Sequence, residues 1–102
     1  MNFGKMMKQV QQAQAKMAEV QEELKGETVE ASAGGGMVKV VMTGDMQVRS
    51  VEIDPTAVDP DDVELLNDMV TAAVNEAVRA AQELAATKMS AVTGGMNVPG
   101  LM

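Results

Sequence analysis

Residues 37–55 read MVKVVMTGDMQVRSVEIDP, and this stretch decides the fold. Met37–Thr43 is rich in β-branched valine, which predicts a strand. Gly44–Asp45 predicts a two-residue hairpin turn. Met46–Ile53 predicts the return strand, closed by Asp54–Pro55 because proline cannot donate to a ladder. The return strand carries a conflict. Side chains alternate between faces at each residue, so Met46 and Val48 point to one face while Val51 and Ile53 point to the other. Either a bulge near Arg49–Ser50 shifts the phase, or both faces are covered, the extra one by a second subunit.

On the N-terminal side, Gly34–Gly35–Gly36 breaks the chain and Glu27–Ala33 (ETVEASA) predicts another strand. Residues 27–54 therefore read as a three-stranded antiparallel meander with short connections. A triple glycine also invites a phosphate cradle. No Lys-Ser or Lys-Thr follows it, and a strand rather than a helix comes next, so a hairpin turn is the better reading.

Both flanks read as long helices, which makes the fold α+β. In residues 1–25, Phe3, Met6, Val10, Ala13, Met17, Val20 and Leu24 alternate spacings of three and four. That is an a/d heptad seam on a helix of about 35 Å, with Gly26 as its natural stop. The second helix is expected over 59–93, with Asp59 as N-cap, Pro60 at the first helical position and acids in the first turn. Its seam runs Val63, Leu66, Val70, Ala73, Ala77, Ala80, Leu84, widened by Leu65, Met69, Val74 and Val78. Gly94–Gly95 is expected to end it, leaving 94–102 as a flexible tail.

The chain has 102 residues, one domain at most, and contains no Cys, His, Trp or Tyr and a single Phe. These absences remove disulfides, thiolate nucleophiles, zinc fingers and the commonest general base, so an enzyme is not expected. No cofactor, metal or small-molecule substrate is expected either. The acids at Asp54, Asp59, Asp61, Asp62 and Glu64 lack calcium-loop spacing and read as helix caps. The eleven methionines read mainly as core filling. The N-terminus lacks the apolar stretch of a signal peptide, and no apolar run approaches the roughly 20 residues of a membrane span. The expected location is therefore the cytoplasm, with no membrane partner. A core of Ala, Val and Met is small for a monomer, so a homodimer is expected.

Charge is the most informative feature. The net charge is −7, which opposes non-specific affinity for nucleic acid. Yet residues 1–18 hold Lys5, Lys8 and Lys16 and no acid, while acids crowd 19–30 and 45–68. On a helical wheel Lys5, Lys8, Gln12 and Lys16 share an arc of about 80° opposite the heptad seam. Arg79 differs, because Glu76 and Glu83 stand at pairing distance along its helix.

Several short segments, in order, resemble the YbaB/EbfC family of nucleoid-associated proteins. They are Met7-Lys8-Gln9 in a Gln- and Met-rich helix, Gly36-Met37-Val38-Lys39-Val40, Val51-Glu52-Ile53-Asp54-Pro55, and the Gly94-Gly95 and Pro99-Gly100 pairs near the end. The resemblance implies an α-β-β-β-α protomer, a dimer whose helices project from a sheet core like tweezers, DNA binding, and a bacterial nucleoid location. It does not assign contacts residue by residue. Charge and helix phase assign phosphate contacts to Lys5, Lys8 and Lys16, amide hydrogen bonds to Gln9 and Gln12, and a further contact to Lys88. The rival reading is a coiled-coil dimeric adaptor that docks another protein and never touches DNA.

Overall fold

Asn2 starts the first helix in the computed structural model, which describes residues 2–96. Its side-chain oxygen accepts the Lys5 backbone N–H at 3.2 Å, and α1 runs Phe3–Gly26. Three strands follow, β1 (Thr28–Ala33), β2 (Val38–Thr43) and β3 (Val48–Ile53), then a 3-10 turn at Pro55–Ala57 and the long helix α2 (Val63–Met96). The sheet is antiparallel with β2 central. The expected α-β-β-β-α order is therefore present.

Each hairpin needs a left-handed backbone, supplied in different ways. Gly34, Gly35 and Gly36 all take positive φ between β1 and β2, so this turn favours residues without a Cβ. The β2–β3 turn departs from the expected two-residue loop. Gly44, Asp45 and Met46 form it, with Thr43 N–H donating to the Gln47 carbonyl at 2.7 Å and Met46 N–H to the Thr43 carbonyl at 3.0 Å. The left-handed residue is Met46, at φ 71°. Gly44 serves packing instead: a Cβ there would stand 2.9 Å from the Leu24 carbonyl oxygen.

The phase conflict in the return strand is resolved by a bulge. Val41 pairs with Ser50 and Met42 with Val48, which leaves Arg49 as the extra residue. After this correction Val48, Val51 and Ile53 lie opposite Met42, Val40 and Val38. Directly opposed residues share a face, so all three sit on the core side of the sheet. The core joins Ala31, Val38, Val40 and Met42 to Ala73, Ala77 and Ala81 of α2. Alanine at every fourth position gives α2 a flat face that approaches the sheet closely. Ala81, rather than the expected Ala80, continues that face.

Two helix boundaries need correction. Asp59 does not cap α2: its carboxylate accepts the Asp61 N–H at 2.9 Å and its carbonyl accepts the Asp62 N–H at 3.0 Å, closing a local turn around Pro60. Asp62 caps the helix, accepting from Leu65 N–H at 3.2 Å. At the other end α2 does not stop before Gly94–Gly95 but continues through both to Met96. The remainder of the expected tail, 97–102, lies outside the described residues.

Packing is uneven. Helix α2 lies over β1 and β2, and every residue of β3 is exposed. Of the α1 seam only Val20 and Leu24 are buried. The radius of gyration is 19.7 Å, with extents of 71 × 26 × 16 Å. A compact domain of 100 residues has a radius near 13 Å, so most of α1 projects as an arm beyond the core.

Candidate nucleic-acid interface

The arm is anchored at its base and free at its tip. Gly44 N–H, in the β2–β3 turn, donates to the carbonyls of Leu24 at 3.0 Å and Glu27 at 2.9 Å, tying the end of α1 to the sheet. From α2, the Lys88 ammonium reaches Glu23 at 3.1 Å and Glu27 at 2.8 Å. The hydrogen bond to Glu27, then the one to Glu23, raises the Lys88 pKa above its ordinary value. Lys88 thus clamps α2 onto the arm, and its charge is engaged by two carboxylates.

Lys5, Lys8, Gln9, Gln12 and Lys16 are all exposed along the arm, on the face that helical phase assigns to them. Among the described residues no ion pair involves Lys5 or Lys8. Lys16 approaches Glu19 only at 3.6 Å, with both side chains more than half exposed, a geometry that holds little energy in water. Lys25 and Arg79 differ. Lys25 pairs with Glu22 at 3.2 Å. Arg79 pairs with Glu76 at 2.6 Å and Glu83 at 2.8 Å, as its spacing predicts. Glu76 holds the Arg79 guanidinium above its ordinary pKa, with Glu83 adding to the effect. Among the described residues Lys5, Lys8, Lys39 and Arg49 take part in no ion pair, and the first two of these stand on the arm.

Two features escape a reading by charge alone. Arg49 is exposed on the bulge, a placement hinted at only by the alternation conflict. The open half of the sheet also presents Val48, Val51 and Ile53, at 50%, 44% and 40% exposure. The acids, by contrast, have structural work. Asp54 accepts from the Thr56 N–H at 2.9 Å and hydroxyl at 2.7 Å, and these bonds, the backbone one first, lower its pKa. Among the described residues no group of acids is arranged to hold a metal ion, and no helix is long and apolar enough to cross a membrane.

Known proteins are similar to this chain. A nucleoid-associated protein of Thermoanaerobacter pseudethanolicus is 54% identical over 100 residues, covering 98% of this chain and 90% of the relative. Another, of Desulforamulus reducens, is 56% identical over 100 residues, covering 98% and 95%. The crystal structure of an uncharacterized Helicobacter pylori protein superimposes with a TM-score of 0.72 over 81% of this chain and 87% of that one; at 23% identity it speaks for the fold. The profile of the YbaB/EbfC DNA-binding family matches residues 1–96. With that span and that identity to its relatives, the chain belongs to the YbaB/EbfC DNA-binding family.

Proposed function

We propose that this protein is a non-enzymatic, nucleoid-associated protein of the bacterial cytoplasm that binds duplex DNA as a homodimer, without cofactor or small-molecule substrate. The observation that carries this reading is the exposed stripe of Lys5, Lys8 and Lys16 on an arm whose first 18 residues hold no acid. Gln9 and Gln12 add amide donors beside it. Such contacts grip phosphates and fix orientation without reading base sequence, which suits an architectural or regulatory role. Lys88 leaves the contact set and acts as the clamp at the arm's base. The uncovered face of β3 supplies the dimer contact: Val48, Val51 and Ile53 extend the core surface that α2 leaves open, and a second copy placed there doubles the stripe.

The dimer carries twice −7, so long-range attraction to DNA is weak and binding rests on the local stripe. Six lysines give a log–log salt slope of at most about −5. The decisive experiment titrates one duplex at several salt concentrations with the parent and with Lys5→Gln, Lys8→Gln and Lys16→Gln combined. Glutamine keeps the helix, which circular dichroism checks on the same sample. The triple variant is expected to bind all sequences more weakly and with a flatter slope. A variant that binds as tightly as the parent would reduce the stripe to solvated surface. A parent that binds no duplex at low salt would favour the protein-docking adaptor. Sedimentation at micromolar concentration is expected to give twice the chain mass, and a folded single chain would remove the dimer.

A further inference from the structure

Opposite the lysines, the outer part of α1 carries an apolar seam that the rest of its own chain leaves open. Phe3, Met6, Met7, Val10 and Met17 are 72%, 49%, 45%, 49% and 41% exposed, whereas Val20 and Leu24 at the base are buried. At about 100° per residue, the centre of this seam lies roughly 110–170° around the helix from Lys5, Lys8 and Lys16. An arm that lays its lysines on phosphates turns the seam away from that duplex.

The geometry points to a second copy of the same seam as its occupant, with α1 of one DNA-bound assembly pairing with α1 of another and so bridging two duplex segments. This inference rests on DNA binding through the lysine stripe. The a/d spacing is that of a helix pairing with its like. The flanks also allow it. A two-fold contact sets residue i of one arm against residue j of the other and j against i, so flanks carrying charge of one sign would repel. The residues bordering the seam are Gln9, Gln11, Gln14 and Ala18, all neutral, while every lysine of this part of the helix lies on the far side. Area sets the strength. The open side chains expose on the order of 500 Å² per arm, so a pair buries less than the roughly 1,200–2,000 Å² of a stable interface. The contact is too small to hold free assemblies together at low concentration, and it operates where DNA brings arms close.

The chain has no cysteine, so a single introduced thiol reports the contact. Val10→Cys is oxidised at high protein concentration without DNA, and at low concentration with and without a duplex. Ala15→Cys, off the seam and exposed, is the control. Val10→Cys is expected to yield a two-chain covalent product whose native size is double that of the unoxidised protein. Duplex should raise the yield at low concentration at least about tenfold, and Ala15→Cys should give little. In parallel, Met6→Gln with Val10→Gln should lose the ability to bring two labelled duplexes together, yet hold a single short duplex within about twofold of the parent. No product at high concentration, a product of unchanged native size, or bridging that survives in the seam variant would overturn the inference. The DNA-free cross-link needs no DNA binding, so it decides the seam separately from the lysine stripe.

Discussion

Replacing Gly44 with Ala is expected to loosen the joint that holds the arm to the sheet. A Cβ at Gly44 would stand 2.7 Å from Leu24 Cδ2 and 2.9 Å from the Leu24 carbonyl oxygen. The methyl can swing to another rotamer. The carbonyl belongs to the helix backbone and cannot. Relief must move the turn away from α1 and stretch the Gly44 N–H bonds to Leu24 and Glu27, now 3.0 and 2.9 Å. Overpacking costs about 1–3 kcal/mol, and a weakened backbone hydrogen bond adds about 0.5–1.5 kcal/mol. The expected loss is thus about 2–4 kcal/mol, read from urea unfolding followed by circular dichroism at one fixed protein concentration. Gly26→Ala is the matched control. It adds the same methyl at the last residue of α1, where nothing stands within 4 Å, and is expected to stabilise by about 0.5–1 kcal/mol. A Gly44→Ala protein within about 0.5 kcal/mol of the parent, the range of inert surface changes, would refute the close-approach argument.

Met46→Gly should raise stability by up to about 1 kcal/mol, the left-handed penalty less the extra freedom glycine has when unfolded; a lowered urea midpoint would contradict this. Asp54 is held below its ordinary 3.8 by Thr56, so its contribution is present above that pH and lost as pH falls through the lower folded value. Asp54→Asn and the parent should therefore converge in stability on acidification, and a gap unchanged down to the acid transition would count against the cap. Lys88 titrates in the opposite sense: with its pKa raised above 10.5, its contribution is present below that pH and lost as pH rises through the folded value. Lys88→Met should speed amide exchange over residues 20–27, and Lys25→Met, which removes only an exposed pair, should not.

Local chemistry made much of this molecule legible. The valines of β2, the triple glycine and the two seams announce the elements and their order. The failed alternation between Val48 and Val51 narrows the return strand to a bulge or a sheet covered on both faces, and only the pairing of Met42 with Val48 decides for the bulge. Legibility ends where a residue's partner is distant or its type is uninformative. Asp59 and Asp62 are equally good caps by type, and only the turn around Pro60 decides between them. Nothing about methionine suggests a left-handed residue at position 46. Lys88 counted as a contact candidate because its charge was visible, whereas the Glu23 that meets it is 65 residues away. A heptad seam says that a face is apolar, not how far along the helix it is covered.

The bulge at Arg49 also bears on solubility. With the order β1-β2-β3, the outer side of β3 is a free edge beside apolar side chains, the combination that templates runaway strand addition into fibrils. One extra residue in mid-strand offsets the donors and acceptors on either side of it, so an incoming straight strand can match one half of the edge but not both. Arg49 adds a guanidinium at that break, and strands stacking in register there would bring like charges together. The residue that rotates Val48 into line with the core thus also keeps the edge from growing without limit.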